Sequence, residues 1–287
     1  MDEIVSKAAT LLEALPYVQR FRSQVFVVKY GGSFMDSPDE EVRHRVARDV
    51  VFLEAVGINP VVVHGGGKAI TRALEEAGVK AEFVQGHRRT DEATMEVVDR
   101  VLSREINPEI VAAIQEFGGK ARGFPGTEIF KCAPLQRNDD FDLGFVGDVY
   151  EVDVDPLREC IRRSITPVIS PTARGEDGKI YNCNADIAAA KTAIALKARR
   201  LVFMSDVPGL LRDPSKAGSL ITHLPIDEVP KLRKAGVIAE GMIPKVDGAV
   251  AAIESGVEKV QFVDGRIPHS ILLEIFTDAG VGTEVVR

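Results

Sequence analysis

The chain has 287 residues, 45% hydrophobic and 28% charged, which is the balance of an ordinary globular protein with room for one large domain or two lobes. A net charge of −7 and the absence of Trp argue against the basic face and aromatic platforms of a general nucleic-acid binder, while a small anion held by local lysines stays open. No apolar run approaches the roughly 18 residues of a membrane helix, and three scattered cysteines (Cys132, Cys160, Cys183) without a C-x-x-C pair predict a reducing, cytoplasmic setting without a cysteine metal site.

In chain order, Asp2 and Glu3 stand where a signal peptide would carry basic residues, so none is expected. Ile4, Val5, Ala8, Leu11, Leu12, Leu15 and Val18 recur at spacings of three and four, predicting an amphipathic helix that ends near Pro16 or just beyond it. A helix this short must bury its stripe, either on its own domain or on a second subunit. Val25 to Tyr30 reads as a buried strand ending in the turn Gly31-Gly32, then residues 40–56 as a helix closed by Gly57. Residues 60–64 form a second buried strand before Gly65-Gly66-Gly67, and residues 68–77 a helix stopped by Gly78. Residues 91–117 predict a long helix, kinked or broken near Asn107-Pro108. From 118 to 178 short β-like runs predict hairpins, with strands over 127–132, 143–154 and 167–170. A helix over 184–198, a strand over 201–204, a turn over 205–209, a helix over 243–255 and a strand over 259–263 follow. This alternation predicts an α/β fold with a mainly parallel sheet.

Two strands thus end in glycine turns, where backbone N–H groups can approach an anion closely. Gly67-Lys68 is not a P-loop, because its first glycine would fall at Val62 and Ala69 replaces the Ser or Thr; no G-x-G-x-x-G is present either. Lys29 ends an apolar strand, as a snorkelling lysine or as an anion ligand. Lys245 opens a helix after Gly241 and Pro244, again solvated or functional. Asn182, Asn184 and Asp186 enter a helix; Asn184 can cap it and Asp186 favours its dipole, which leaves Asn182 for a ligand. Asp206 ends a buried strand, where α/β sheets gather ligands, and Arg88 and Arg89 precede a helix as candidates for carboxylate recognition. Anions held from several strand ends with no evident general base fit a carboxylate acceptor, already ionised near neutrality because its reference pKa is about 4.

These segments in this order (K-Y-G-G, H-G-G-G, G-x-R-x-T-D, N-x-N-A-D, S-D-V-x-G-L and G-M-I-P-K-V) resemble the amino acid kinase family from about Phe21 to the C-terminus. The resemblance implies a three-layer αβα sandwich around a mainly parallel central sheet, with an N-terminal helical extension over 1–20, an acceptor lobe over 21–197 and an ATP lobe over 198–287. It implies transfer of a phosphoryl group from ATP, brought with Mg²⁺, to the side-chain carboxylate of N-acetyl-L-glutamate, an arginine-biosynthetic step. A different carboxylate acceptor, or a sensor of arginine or nucleotide that lacks catalysis, are the alternatives. By resemblance Lys29 and Lys245 stabilise the moving phosphoryl group, and Asp206 holds both lysines. Gly31, Gly32, Gly65 and Gly66 donate N–H groups to phosphates. Gly66, Gly67, Arg88 and Asn182 bind the acceptor, Arg88 at its α-carboxylate, and Asp186 supports the site; no metal-binding side chain is implied. Three departures flank the acceptor pocket: His87 and Arg89 replace apolar residues, Lys68 replaces a proline, and Ser33-Phe34 replaces Asn-Ala. Members inhibited by L-arginine carry a similar N-terminal helix that interlaces dimers into a hexamer, a trimer of dimers. On that likeness Tyr17, His269, Glu274 and Gly280 are the candidate regulatory residues.

Overall fold

A computed structural model describes residues 2–84, 86–135, 142–278 and 280–287. Helix α1 (Asp2–Phe21) runs through Pro16 and beyond the expected end, because Phe21 at its last turn is fully buried and meets Phe26 edge-on at 5.3 Å. The side chains of Ile4, Val5 and Ala8 lie outside the described residues. Leu11, Leu12 and Leu15 are 71%, 66% and 44% exposed, whereas Ala14, Tyr17 and Val18 pack on the chain's own core.

Next come β1 (Val25–Tyr30), α2 (Glu40–Ala55), β2 (Asn59–His64), α3 (Gly67–Glu76) and the short ribbon of β3 (Phe83–Val84) and β4 (His87–Arg88). The long helix expected over 91–117 is α4 (Glu92–Asp99), a π-helical segment (Arg100–Ile106) and α5 (Asn107–Glu116). Pro108 cannot donate an N–H, and the wider π turns directly before it accommodate the break that its position predicts. The middle of the chain holds β5 (Ala121–Phe124), β6 (Phe130–Pro134), β7 (Val146–Val152), α6 (Asp155–Arg162), β8 (Thr166–Ile169), β9 (Thr172–Gly175) and β10 (Ile180–Cys183). Residues 126–128 form a tight 3₁₀ turn where a strand start was expected, because Gly126 N donates to Ser170 Oγ and its Cα packs against the backbone of Ser170 and Thr172. The expected hairpins are β6–β7 and β9–β10, and their strands close into a small barrel in the order β10-β7-β6-β9. Helix α7 (Ala185–Leu196), β11 (Arg200–Ser205), β12 (His223–Pro225), α8 (Val229–Lys234), α9 (Ile243–Glu254), β13 (Lys259–Asp264), α10 (Ser270–Phe276) and β14 (Thr283–Val286) complete the chain.

Eight strands form one sheet in the order β12-β14-β13-β11-β1-β2-β8-β5, parallel except between β13 and β14. Alternate residues of β1 serve two cores: Val27 joins Ala188, Ala189 and Ala193 of α7 on one face, and Phe26 and Val28 join Val46, Val50 and Leu53 of α2 on the other. Both faces are therefore apolar, which explains why these strands read as unbroken hydrophobic runs. The result is the expected three-layer αβα sandwich. The division expected at 197/198 falls in the turn between α7 and β11, yet β1 pairs with β11 and the sheet is continuous across it. The chain leaves β1 to build β2 on one side and returns later to build β11 on the other. That reversal leaves a crevice at the C-terminal ends of β1, β2 and β11, where α/β sheets bind ligands.

Candidate active site

The crevice is a cleft of about 370 Å³ whose walls include Lys29, Gly31, Gly32, Gly65, Gly66, Gly67, Arg88, Asn182, Asp186 and Asp206. Lys29 is buried at the end of β1. Its side chain curls over the first glycine turn, so that a Cβ on Gly31 would stand 2.3 Å from Lys29 Nζ. A side chain at residue 31 would push the ammonium out of this position.

Asp186 lies in the first turn of α7, which Asn184 caps by accepting from the N–H groups of Asp186 and Ile187. Its carboxylate joins the two lysines. Lys245 Nζ donates to Oδ2 at 2.6 Å, and Lys29 Nζ stands 3.1 Å from Oδ1 as an ion pair outside hydrogen-bond alignment. Burial alone would raise the Asp186 pKa, but the charges of Lys29 and Lys245 outweigh it and hold the group at about 2. Burial lowers the pKa of Lys245, with Asp186 opposing the shift.

Asp206 does not bridge the lysines, contrary to the role expected for it. Its carboxylate accepts from Ser33 N at 2.7 and 2.9 Å and from Ser33 Oγ at 2.7 Å. The side chain at the end of β11 is thereby spent on tying down the turn after β1. Gly65 departs from expectation too. Its N–H donates to Tyr30 O at 2.7 Å and is not free for a phosphate. Gly66 and Gly67 open α3 without a side-chain cap, so the first N–H groups of that helix stand at the cleft as donors.

Arg88 at the end of β4 is 7% exposed, and burial lowers its pKa. Nη2 donates to Gly67 O at 2.9 Å and to Thr71 Oγ1 at 2.8 Å, and the guanidinium lies over the Phe83 ring. Nη1 is buried without a partner. An unpaired charged donor in a cleft wall is costly unless an anion completes it, and a carboxylate matches its geometry. Asn182, at the end of β10, donates from Nδ2 to Thr90 Oγ1 at 3.3 Å, and Lys68 and His87 also line the cleft. Among the described residues no group of three or more His, Cys, Asp or Glu side chains could hold a metal.

The four candidate regulatory residues lie away from these walls. Tyr17 of α1 hydrogen-bonds Asp278. Glu274 of α10 accepts from Val281 N at 2.7 Å, Gly282 N at 3.0 Å and Gln261 Nε2 at 2.9 Å. Gly280 has φ +60° and leans on Glu274, where a Cβ would stand 2.9 Å from Oε2. His269 Nδ1 lies 2.6 Å from Asp49 Oδ1 of α2. Tyr17, Glu274 and Gly280 thus share the junction of α1 with the α10–β14 loop, while His269 points to a neighbouring contact.

Ser33 lines the cleft, while Thr71 and Thr90 stand behind it as the acceptors that hold Arg88 and Asn182, and these supporting roles were missed. Ser33 sits beside the Gly31-Gly32 turn, which is the one local signal. Its partner Asp206 is 173 residues away, and Thr71 gains meaning only when β4 folds back on α3.

A family model described as the amino acid kinase family matches residues 24–264. The chain is 47% identical over 300 residues to the acetylglutamate kinase of Aquifex aeolicus (strain VF5), covering 99% of each chain. N-acetylglutamate synthase from Neisseria gonorrhoeae, solved with coenzyme A and N-acetyl-glutamate, superposes with a TM-score of 0.86 at 25% identity, covering 98% of this chain and 63% of that one. The same synthase with coenzyme A and L-arginine superposes with a TM-score of 0.81 at 25% identity, covering 97% and 65%. This chain therefore spans less than two thirds of the synthase's length.

Proposed function

The chain belongs to the amino acid kinase family, and from that premise we infer that it transfers the γ-phosphoryl group of ATP to the side-chain carboxylate of N-acetyl-L-glutamate, a step of arginine biosynthesis. The observation that carries this reading is the convergence of Lys29 and Lys245 on Asp186 in a cleft whose wall also holds the unpaired Arg88 Nη1. Two fixed positive charges suit a phosphoryl group in flight, and the orphaned guanidinium donor suits the acceptor's α-carboxylate.

In this mechanism the acceptor carboxylate is ionised at neutral pH and attacks phosphorus without a general base. Its oxygen forms the new P–O bond as the bond to the β-phosphate oxygen of ATP breaks. Catalysis is positioning and charge stabilisation. Lys29 and Lys245 stabilise the transferring group, with Asp186 fixing both ammonium groups. Gly31, Gly32, Gly66 and Gly67 supply backbone N–H groups. Arg88 and Asn182 hold the acceptor. Asp206 acts through Ser33, holding the first glycine turn in place. Mg²⁺ enters as part of the nucleotide substrate, on its phosphates. We assign the acceptor to residues 21–197 and ATP to residues 198–287, with the phosphoryl group passing between.

Regulation by L-arginine and a cytoplasmic hexamer, built as a trimer of dimers, belong to the same proposal. The exposed Leu11, Leu12 and Leu15 support an assembly role for residues 1–20. Glu274 and Asp278 beside Tyr17 and Gly280 offer carboxylates to a guanidinium. No helix among the described residues is long and apolar enough to cross a membrane. A coupled assay of ADP release with N-acetyl-L-glutamate, glutamate, aspartate and carbamate tests the reaction. Turnover confined to N-acetyl-L-glutamate is expected. Preference for another acceptor would move the chain elsewhere in its family, and nucleotide binding without turnover would make it a sensor.

A further inference from the structure

We propose that His64 and Asn107 form a positioning pair that aims the Gly66 N–H at the phosphoryl group in transfer. The inference rests on the reaction proposed above. Its starting point is that Gly65 is pinned at both ends. Its N–H is taken by Tyr30 O at 2.7 Å, and its carbonyl oxygen lies 2.8 Å from Nδ1 of the buried His64. In a trans peptide the C=O and the following N–H point in opposite directions. A Gly65 carbonyl drawn inward to His64 therefore turns the Gly66 N–H outward, toward the cleft that Gly66 lines.

This arrangement requires a proton on Nδ1, because a carbonyl oxygen only accepts. Asn107 sets that proton. Its Nδ2 lies 2.9 Å from Val168 O, also an acceptor, so this atom is the amide nitrogen. The same Nδ2 faces His64 Nε2 at 3.2 Å and donates to it. Nε2 is thereby an acceptor and the ring proton stays on Nδ1. Burial supports a neutral ring, holding the imidazole pKa at about 4 against the pull of the Gly65 bond.

The π segment delivers the pair. It ends at Ile106, directly before Asn107, and it brings Leu102 and Ile106 against Gly66, where an added Cβ would stand 2.7 and 2.6 Å from their tips. One irregular stretch of helix thus places the amide that orients His64 and the two side chains that back the turn from the other side. Such irregularities gather at functional sites.

Asn107→Asp reverses the logic without changing size, so its pH–rate profile tests the pair. At pH 8 the carboxylate only accepts, draws the ring proton to Nε2 and leaves a lone pair on Nδ1 against Gly65 O. An added proton on either group restores Nδ1–H. The expected kcat of Asn107→Asp is about tenfold or more below wild type at pH 8, recovering toward wild type by pH 6, with KM for the acceptor changed less than about twofold, as for a contact made in the transition state. Asn107→Ala should lose kcat without that recovery. A pH-independent loss in Asn107→Asp, or wild-type kcat at pH 8, overturns the proposal. Should the variant fail to fold, long-range ¹H–¹⁵N spectra of wild-type protein labelled at histidine decide it: a neutral His64 with its proton on Nδ1 supports the pair, and a proton on Nε2 overturns it. That spectrum needs no turnover, so a wrong acceptor and a wrong positioning pair give different results.

Discussion

At the scale of single residues the two aspartates exchange expected roles, and the exchange is testable. Asp186→Asn removes the charge that Lys29 and Lys245 share and should lower kcat by about 100-fold or more, the loss typical of a misplaced charge stabiliser. Asp206→Asn loosens the Ser33 anchor and removes a weaker, more distant charge from Lys245, so it should cost about tenfold at most; steady-state rates of the two variants, with the reverse order of damage, would return the bridging role to Asp206. Asp186 also predicts an acid limb of stability. Its folded pKa of about 2 lies below the ordinary carboxylate value of about 4, so its contribution is complete above pH ~4 and is lost as pH falls through about 2. Acid-unfolding curves of Asp186→Asn should lack that steepening between pH ~4 and ~2. Gly31→Ala should act as a lysine mutant in disguise, because its Cβ would displace the Lys29 ammonium. A fall in kcat of about 10- to 100-fold with an unchanged Tm is expected. Lys29 stood out in the sequence as a charge ending an apolar run, Arg88 as one of two guanidiniums before a helix, and Asn182 as the polar residue that capping and dipole roles leave over. Which aspartate met the lysines was not legible, since one closes a strand and the other opens a helix, and the packing of α7 on β1 and α9 decides their partners.

At the scale of elements, helix α1 presents one face to its own core and another to solvent. Leu11→Asp combined with Leu12→Asp touches only the exposed face, so sedimentation should report a smaller particle while the melting temperature stays within about 2 °C, as for surface substitutions away from packed contacts. An unchanged sedimentation coefficient would remove the helix from assembly. The contact between α2 and α10 carries its own pH signature. Burial raises the Asp49 carboxyl to about 6, with the His269 bond pulling the other way. A raised carboxyl stabilises the fold fully below the ordinary value of about 4, and that contribution fades as pH rises through about 6. Asp49→Asn should therefore gain Tm relative to wild type between pH 4 and pH 7, and parallel Tm profiles would contradict this. Element types were legible where an apolar run was unbroken, as in β1, β2 and β11, or where alanine dominated, as in α7. The barrel strands were harder to read because they are four to seven residues long and pair across a closed surface that no local pattern marks. The break near Pro108 was expected, but its π form was not, because no local sequence pattern marks it.

At the scale of the whole molecule, one sheet carries two halves whose seam is the site. Strand β1 lies at the centre, with β2 bringing the second glycine turn and β11 bringing Asp206, so the proposed phosphoryl path runs along strand ends held by a single hydrogen-bonded frame. That frame fixes the glycine turns and the base of Asp206, while Lys245 reaches the site from α9. The architecture was readable in outline from the alternation of buried strands and amphipathic helices. The crevice itself was not, since it arises from strand order. The central claim is that this crevice makes an acyl phosphate from an amino-acid carboxylate. Running the reaction with ATP and N-acetyl-L-glutamate in the presence of hydroxylamine tests it directly, because hydroxylamine traps acyl phosphates as hydroxamates. The account predicts one hydroxamate of N-acetyl-L-glutamate formed per ADP released; ADP release without hydroxamate, or no acceptor-dependent ADP at all, would contradict it.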